Sequence, residues 1–172
     1  MKNLKWIERK FNFGYSAEYL PLFIERLKTT APRIEELVKD ISDEKASFMP
    51  DDKWSVKQHI GHLTDLEELH DGRLTDFLEK KPTLRAADMQ NKKTEEADHN
   101  KIAIHDLIAD FRMVREKFIA HVRSFNESEL MTVSLHPRLQ QQINVIDLMY
   151  FIAEHDLFHI VHISNIVERK IQ

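Results

Sequence analysis

His155 and His159 occupy two positions in the middle of the last strongly periodic segment where apolar residues would be expected. On a helix, a step of four residues is about 6 Å of rise along one face, so both imidazoles can reach one ion. His62 lies beside Leu63 and Leu66, at the matching depth of an earlier periodic segment. Two ligands from one helix and one from another is a common way to build a metal site inside a bundle. Three protein ligands also leave positions open for water or substrate. The alternative is that these are core imidazoles satisfied by a neighbour's carbonyl or carboxylate. Burying several of them without partners would cost roughly 1–3 kcal/mol for each unsatisfied group, which favours the metal.

Other residues compete for a role. His162 continues the face of His155 and His159, and His59 lies one turn before His62. Either is a further ligand or a donor to one, but both sit slightly off the apolar stripes and rank second. His70, His99, His105 and His121 read as solvated or loop residues. Asp65 and Glu67 are candidates for orienting a ligand or acting as a base, and Glu68 reads as solvated helix face. Asp156 adjoins a ligand and points elsewhere, to a supporting or interface role. Trp54 is expected to pack over the start of its helix.

The chain has no cysteine. That excludes disulfides, thiolate metal sites and a Cys nucleophile. No Ser-His-Asp order is evident either, so a nucleophile would have to come from the open position of a metal. All-imidazole ligation suits zinc, nickel, copper or iron, and zinc or nickel is the expected divalent ion.

Four amphipathic segments must position these groups. The first runs through Leu20, Phe23, Ile24, Leu27, Ala31, Ile34, Val38 and Ile41; its stripe keeps phase through Pro32, which predicts one kinked helix. The second opens on Ser55-Val56-Lys57-Gln58, a capping-box pattern, and runs to about Lys80 before Pro82. Its expected inward residues are Ile60, Leu63, Leu66, Leu69, Leu74 and Phe77. Residues 82–100 lack a sustained period and read as a long connection. The third segment spans about Ile102 to Phe125, and a loop containing His136-Pro137-Arg138 follows. The fourth starts near Asn144, an N-cap, with Asp147 in its first turn, and runs to about Arg169. The expectation is an all-α four-helix bundle with a single core, one domain over residues 1–172.

Composition agrees. The chain has 172 residues, enough for one core, with only three glycines and five prolines. Its formal charge is −4 with ten histidines counted as neutral, and no basic cluster marks a nucleic-acid face. The N-terminal residues show no signal-peptide core, and no segment has the roughly 20 apolar residues of a membrane span. A cytoplasmic protein without membrane or nucleic-acid partners is expected.

The stretch Trp54-Ser55-Val56-Lys57-Gln58-His59-Ile60-Gly61-His62-Leu63-Thr64-Asp65-Leu66-Glu67 resembles the second-helix signature of the DinB-like family, the DinB/YfiT-like metalloenzymes. Ala153-Glu154-His155-Asp156-Leu157-Phe158-His159 resembles that family's fourth-helix His-x-x-x-His element. The likeness extends over nearly the whole chain. It implies an up-up-down-down-like bundle whose metal ligands are His62, His155 and His159, the three that spacing selects. It also implies a homodimer and a small-molecule substrate. Family members with assigned activity include thiol S-transferases and a thiol-dependent isomerase that use low-molecular-weight thiols with a divalent metal; others are assigned only broadly, as hydrolases or damage-inducible proteins. Three readings stand on this basis: a metal-dependent thiol transferase or hydrolase, a metal-binding stress protein without turnover, and a metal-free helical interaction module. In the first, residues 82–100 and His136-Pro137-Arg138 would wall the pocket, with Arg138 either binding a substrate carboxylate or lying on the loop surface.

Overall fold

The computed structural model describes residues 5–168. Its helices are α1 (Leu20–Lys28), α2 (Thr30–Val38), α3 (Asp43–Ser47), α4 (Val56–Leu78), α5 (Lys92–Glu96), α6 (Ile104–Arg123), α7 (Glu127–Leu130) and α8 (Val145–Glu168). A hairpin of β1 (Ser134–His136) and β2 (Gln141–Ile143) precedes α8. The pair α1 and α2, with α4, α6 and α8, forms the expected four-helix bundle.

Where one kinked helix is predicted, α1 and α2 meet at Thr29. Pro32 has no N–H to donate to the carbonyl of Lys28, and its ring crowds that carbonyl, so the helix breaks some four residues upstream of the proline. The capping box of α4 is present: the Gln58 N–H donates to Ser55 Oγ at 3.1 Å and the Ser55 N–H donates to Gln58 Oε1 at 3.0 Å. At its far end Lys80 takes a left-handed conformation, φ 53°, and the N–H groups of Lys80 and Lys81 close on the carbonyls of Phe77 and Asp76 before Pro82. Asn144 caps α8 as its sequence suggests, accepting from the Asp147 N–H at 2.8 Å.

The expected loop at 134–143 is instead a short antiparallel hairpin, with Leu135 opposite Gln142 and His136 opposite Gln141. Its outer edge is covered by the 82–100 connection, since the Leu84 N–H donates to the Leu135 carbonyl at 3.0 Å and the Leu135 N–H to the Pro82 carbonyl at 2.9 Å. That connection lies close on α4 at two glycines. A Cβ on Gly61 would collide with the His99 ring, and one on Gly72 with the Arg85 guanidinium.

The interior is two apolar clusters rather than one. The first holds Phe23 and Leu27 of α1, Leu74 and Phe77 of α4, Phe118 and Val122 of α6, and Leu148 and Ile152 of α8. The second holds Ile34 of α2, Ile60 and Leu63 of α4, Phe111 of α6, and Ile160 and Ile163 of α8. Between them each bundle element contributes a buried polar residue: Thr30, Glu67, Arg115 and Asp156. The stripe of α4 turned to this core is Ile60, Leu63, Glu67, His70, Leu74 and Phe77, all buried. Leu66 and Leu69, expected in the core, are only partly buried and line a cavity.

Candidate metal centre

His62, His155 and His159 are brought together in the interior. Each offers a ring nitrogen, and the three nitrogens lie within 4.8 Å of one another. His155 and His159, one turn apart on α8, face each other through their Nε2 atoms at 3.1 Å.

Surrounding bonds set the orientation of His62 and His159. Asp65 Oδ2 accepts from the Thr94 hydroxyl at 2.9 Å and from His99 Nε2 at 2.9 Å. Because Thr94 gives its only proton to Asp65, its oxygen accepts from His62 Nδ1 at 3.0 Å. His62 therefore carries its proton on Nδ1 and keeps the Nε2 lone pair free. His159 Nδ1 shares a proton with His59 Nδ1 at 2.8 Å. His155 Nδ1 is buried with no hydrogen-bond partner among the described residues. Anchoring of the second ring nitrogen, as at His62 and His159, is how proteins orient metal-binding imidazoles.

The electrostatics keep these rings neutral. Burial brings His62 down to about 4 against the opposing pull of Asp65. Burial and the neighbouring His162 and His62 bring His59 to about 3. Burial first, and the other imidazoles next, hold His155 and His159 well below the usual histidine range. Neutral imidazoles whose ring nitrogens converge in a buried space are the donor set a borderline divalent ion takes.

A cavity of about 510 Å³ opens beside the three histidines. Trp54 lies over His62 at 4.6 Å between ring centroids, and Trp6 meets His155 edge-on at 4.8 Å. The expected walls are in place: Ala86 to Met89 and Asn91 from the connection, and His136, Pro137 and Arg138 from the hairpin, all line it. A smaller cavity of about 270 Å³ shares His62, Leu66 and Leu69 with the first.

The other candidates separate cleanly. His59 bonds His159, and His162 is stacked on His59 at 5.3 Å, so both stand behind the three-histidine group. Asp65 orients His62 through Thr94. Glu67 and Asp156 belong to a buried ion cluster: Arg115 donates to Asp156 through Nη1 at 2.6 Å and Nη2 at 3.1 Å, and to Glu67 through Nη2 at 2.8 Å. Glu68 is exposed and paired with Lys93. His105 is exposed as expected, and His121 is half-buried against Asp71. The expectation for His70 and His99 is wrong: both are buried, His70 because it falls on the inward stripe of α4 and bonds Glu67 at 3.1 Å, His99 because Gly61 admits its ring. Arg115 escaped notice, although its place between Phe111 and Phe118 in helical phase is a signal the sequence carries. Thr94 had no signal, since only the folded connection brings it to α4.

The fold and the buried histidine cluster define a DinB-type helical bundle, and the chain belongs to the DinB superfamily, whose family model matches residues 26–163. Among its relatives is an uncharacterized protein of Bacillus subtilis (strain 168), YuaE, 28% identical over 148 residues that span 77% of this chain and 89% of that protein. The solved structure of YfiT from Bacillus subtilis, described as a probable metal-dependent hydrolase with an unusual four-helix bundle topology, superposes with a TM-score of 0.78. That likeness covers 94% of this chain and 93% of YfiT at 21% identity, and establishes the shared fold.

Proposed function

We propose that His62, His155 and His159 hold one divalent metal ion, zinc or nickel, and that the chain is a metal-dependent enzyme acting on a small molecule in the adjoining cavity. The observation that carries this reading is the convergence of three buried, neutral imidazoles within 4.8 Å of one another. Further support comes from the description of YfiT as a probable metal-dependent hydrolase. A bound divalent ion supplies Lewis acidity and brings the pKa of a water or thiol toward neutrality.

The chain's own residues do the rest. Asp65 and Thr94 fix the tautomer of His62, and His59 steadies His159. Trp6 and Trp54 shield the histidines from bulk water. His70, its Nδ1 held at 3.1 Å by Glu67, lines the cavity and is placed to hold or pass a proton there. Hydrolysis is the reaction this arrangement supports best. Transfer of a low-molecular-weight thiol is the second reading. It is favoured by the two cavities that both reach His62, since transfer needs two organic substrates where hydrolysis needs one. Homodimerisation and a cytoplasmic setting complete the proposal and rest on the family resemblance.

The test is a screen of activated esters, amides and electrophile–thiol pairs with untagged protein. Turnover should vanish on chelation and return with zinc or nickel. Absence of any turnover above that of the free ion would leave a metal-binding protein without catalysis.

A further inference from the structure

Two buried donors in the hairpin wall of the cavity have nothing to donate to. His136 is 2% exposed. Its Nδ1 accepts from the Leu139 N–H at 3.3 Å, so the neutral ring carries its proton on Nε2. That Nε2 is buried without a hydrogen-bond partner among the described residues, and so is Arg138 Nη2. One ring supports both groups: Phe151 lies 5.1 Å from the His136 ring and 5.5 Å from the Arg138 guanidinium carbon, with Trp6 at 5.8 Å on the latter.

The charge around these donors is uncompensated. Arg138 forms no ion pair among the described residues. Arg73, also on the cavity wall, donates its Nε to the Arg85 carbonyl at 3.1 Å. Burial, with Arg73 and Arg138 adding to it, brings His136 to about 3, so it is a neutral donor. Asp88 is the acid on this wall, and its oxygens are taken by the backbone N–H groups of Gln90 and Lys92 at 2.9 and 2.8 Å.

We propose that His136 Nε2 and Arg138 Nη2 form a subsite for the carboxylate of the substrate, which makes the substrate a small organic acid with an apolar body. Two donors match the two oxygens of a carboxylate, and the Arg138 guanidinium matches its negative charge. A phosphate group would bring a third oxygen that neither of these two donors meets. The apolar body fits the remaining wall, which Leu66, Leu69, Met89 and Phe158 contribute. His136 and Arg138 line the same cavity as His62, His155 and His159, so an acid held here extends toward the three histidines. The proposal rests on the reading of this cavity as the substrate pocket of the metal centre.

The experiment titrates the untagged full chain with 3-phenylpropanoate, 3-phenylpropanamide and 2-phenylethylphosphonate by calorimetry, before and after chelation. The acid should bind at least tenfold more tightly than the amide, and more tightly than the phosphonate, in both states. Arg138→Gln should abolish the preference for acid over amide, and Arg138→Lys should restore part of it, with metal content unchanged in both. The lysine variant keeps the charge and so separates loss of the subsite from loss of the fold. Equal binding of acid and amide, a preference retained in Arg138→Gln, or tighter binding of the phosphonate would overturn the carboxylate subsite. A preference present before chelation and absent after it would place the acid on the metal, overturning the subsite and sparing the metal centre. A preference shown by a chain that holds no metal as purified and takes up no added zinc or nickel would sustain the subsite and overturn the metal centre.

Discussion

Two polar groups share the interior of this bundle, and they are built on opposite plans. Arg115, Glu67, Asp156 and Thr30 face one another between the apolar clusters and spend most of their hydrogen-bonding capacity internally, with the Thr30 hydroxyl donating to Asp156 Oδ2 at 2.7 Å. Burial would raise Glu67, but Arg115 and His70 outweigh it and hold the carboxyl below its usual range. Asp156 and Glu67 likewise outweigh burial at Arg115 and raise it. On the same helices α4 and α8, His62, His155 and His159 are held neutral and turn ring nitrogens toward a common point. An ion cluster whose opposite charges pair with one another specifies how helices pack, whereas ring nitrogens converging in a neutral pocket are a demand for something from outside.

The contrast can be broken most directly at Arg115. Arg115→Met leaves two buried carboxylates facing each other and should cost about 3–5 kcal/mol in urea unfolding, as removal of one partner from a buried pair does. His155→Ala in chelated protein should cost less than half of that, because it deletes a neutral ring at the edge of a cavity. Equal losses would erase the distinction between the two groups.

Acid provides the next largest effect. His62 is brought to about 4, and His59 and His136 to about 3, against about 6.5 in an unfolded chain. Between those values the unfolded state binds more protons, so stability rises with pH across the window and is lost as pH falls from 6.5 toward 4. The metal-free protein should lose roughly 3 kcal/mol or more between pH 7 and 4.5 in denaturant titrations, and a flat profile would contradict the neutral, buried state of these rings.

Replacing any of His62, His155 or His159 with Ala should weaken metal binding at least ~100-fold in competition with a chelating dye, since two imidazoles hold a labile ion poorly against water. Full retention in all three variants would shift the assignment to His59 or His162. Thr94→Val, which keeps the shape of the side chain but unhooks His62 from Asp65, should cost about tenfold. No change there would mean that the tautomer of His62 is set by other means.

The sequence carried the helices because their apolar residues recur with helical period and their ends are capped by Ser55, Gln58 and Asn144. It carried the three central histidines because polar residues in apolar phase are conspicuous. Glu67, His70 and Arg115 hold the same kind of position and were equally legible; choosing Leu66 and Leu69 as the inward residues of α4 hid the first two. The Leu66 and Leu69 face belongs to the cavity, and apolar residues on a pocket wall look the same in sequence as apolar residues in a core. Thr94 and His99 were not legible, because long-range contacts of the connection bring them into place, and His136 was legible as part of a pocket wall but not as a strand residue. The break at Thr29 was half legible: Pro32 announces a disturbance, but the steric conflict falls on the carbonyl four residues upstream.

The most direct test of the metal centre is the content and ligand environment of untagged protein, by elemental analysis and X-ray absorption. The expected result is one zinc or nickel ion per chain with three imidazole nitrogens in its shell, at about 2.0–2.1 Å if the ion is zinc. The content should fall to background in the His155→Ala/His159→Ala variant. A chain with far less than one equivalent after growth in metal-replete medium, or an ion whose shell is oxygen alone, would contradict it.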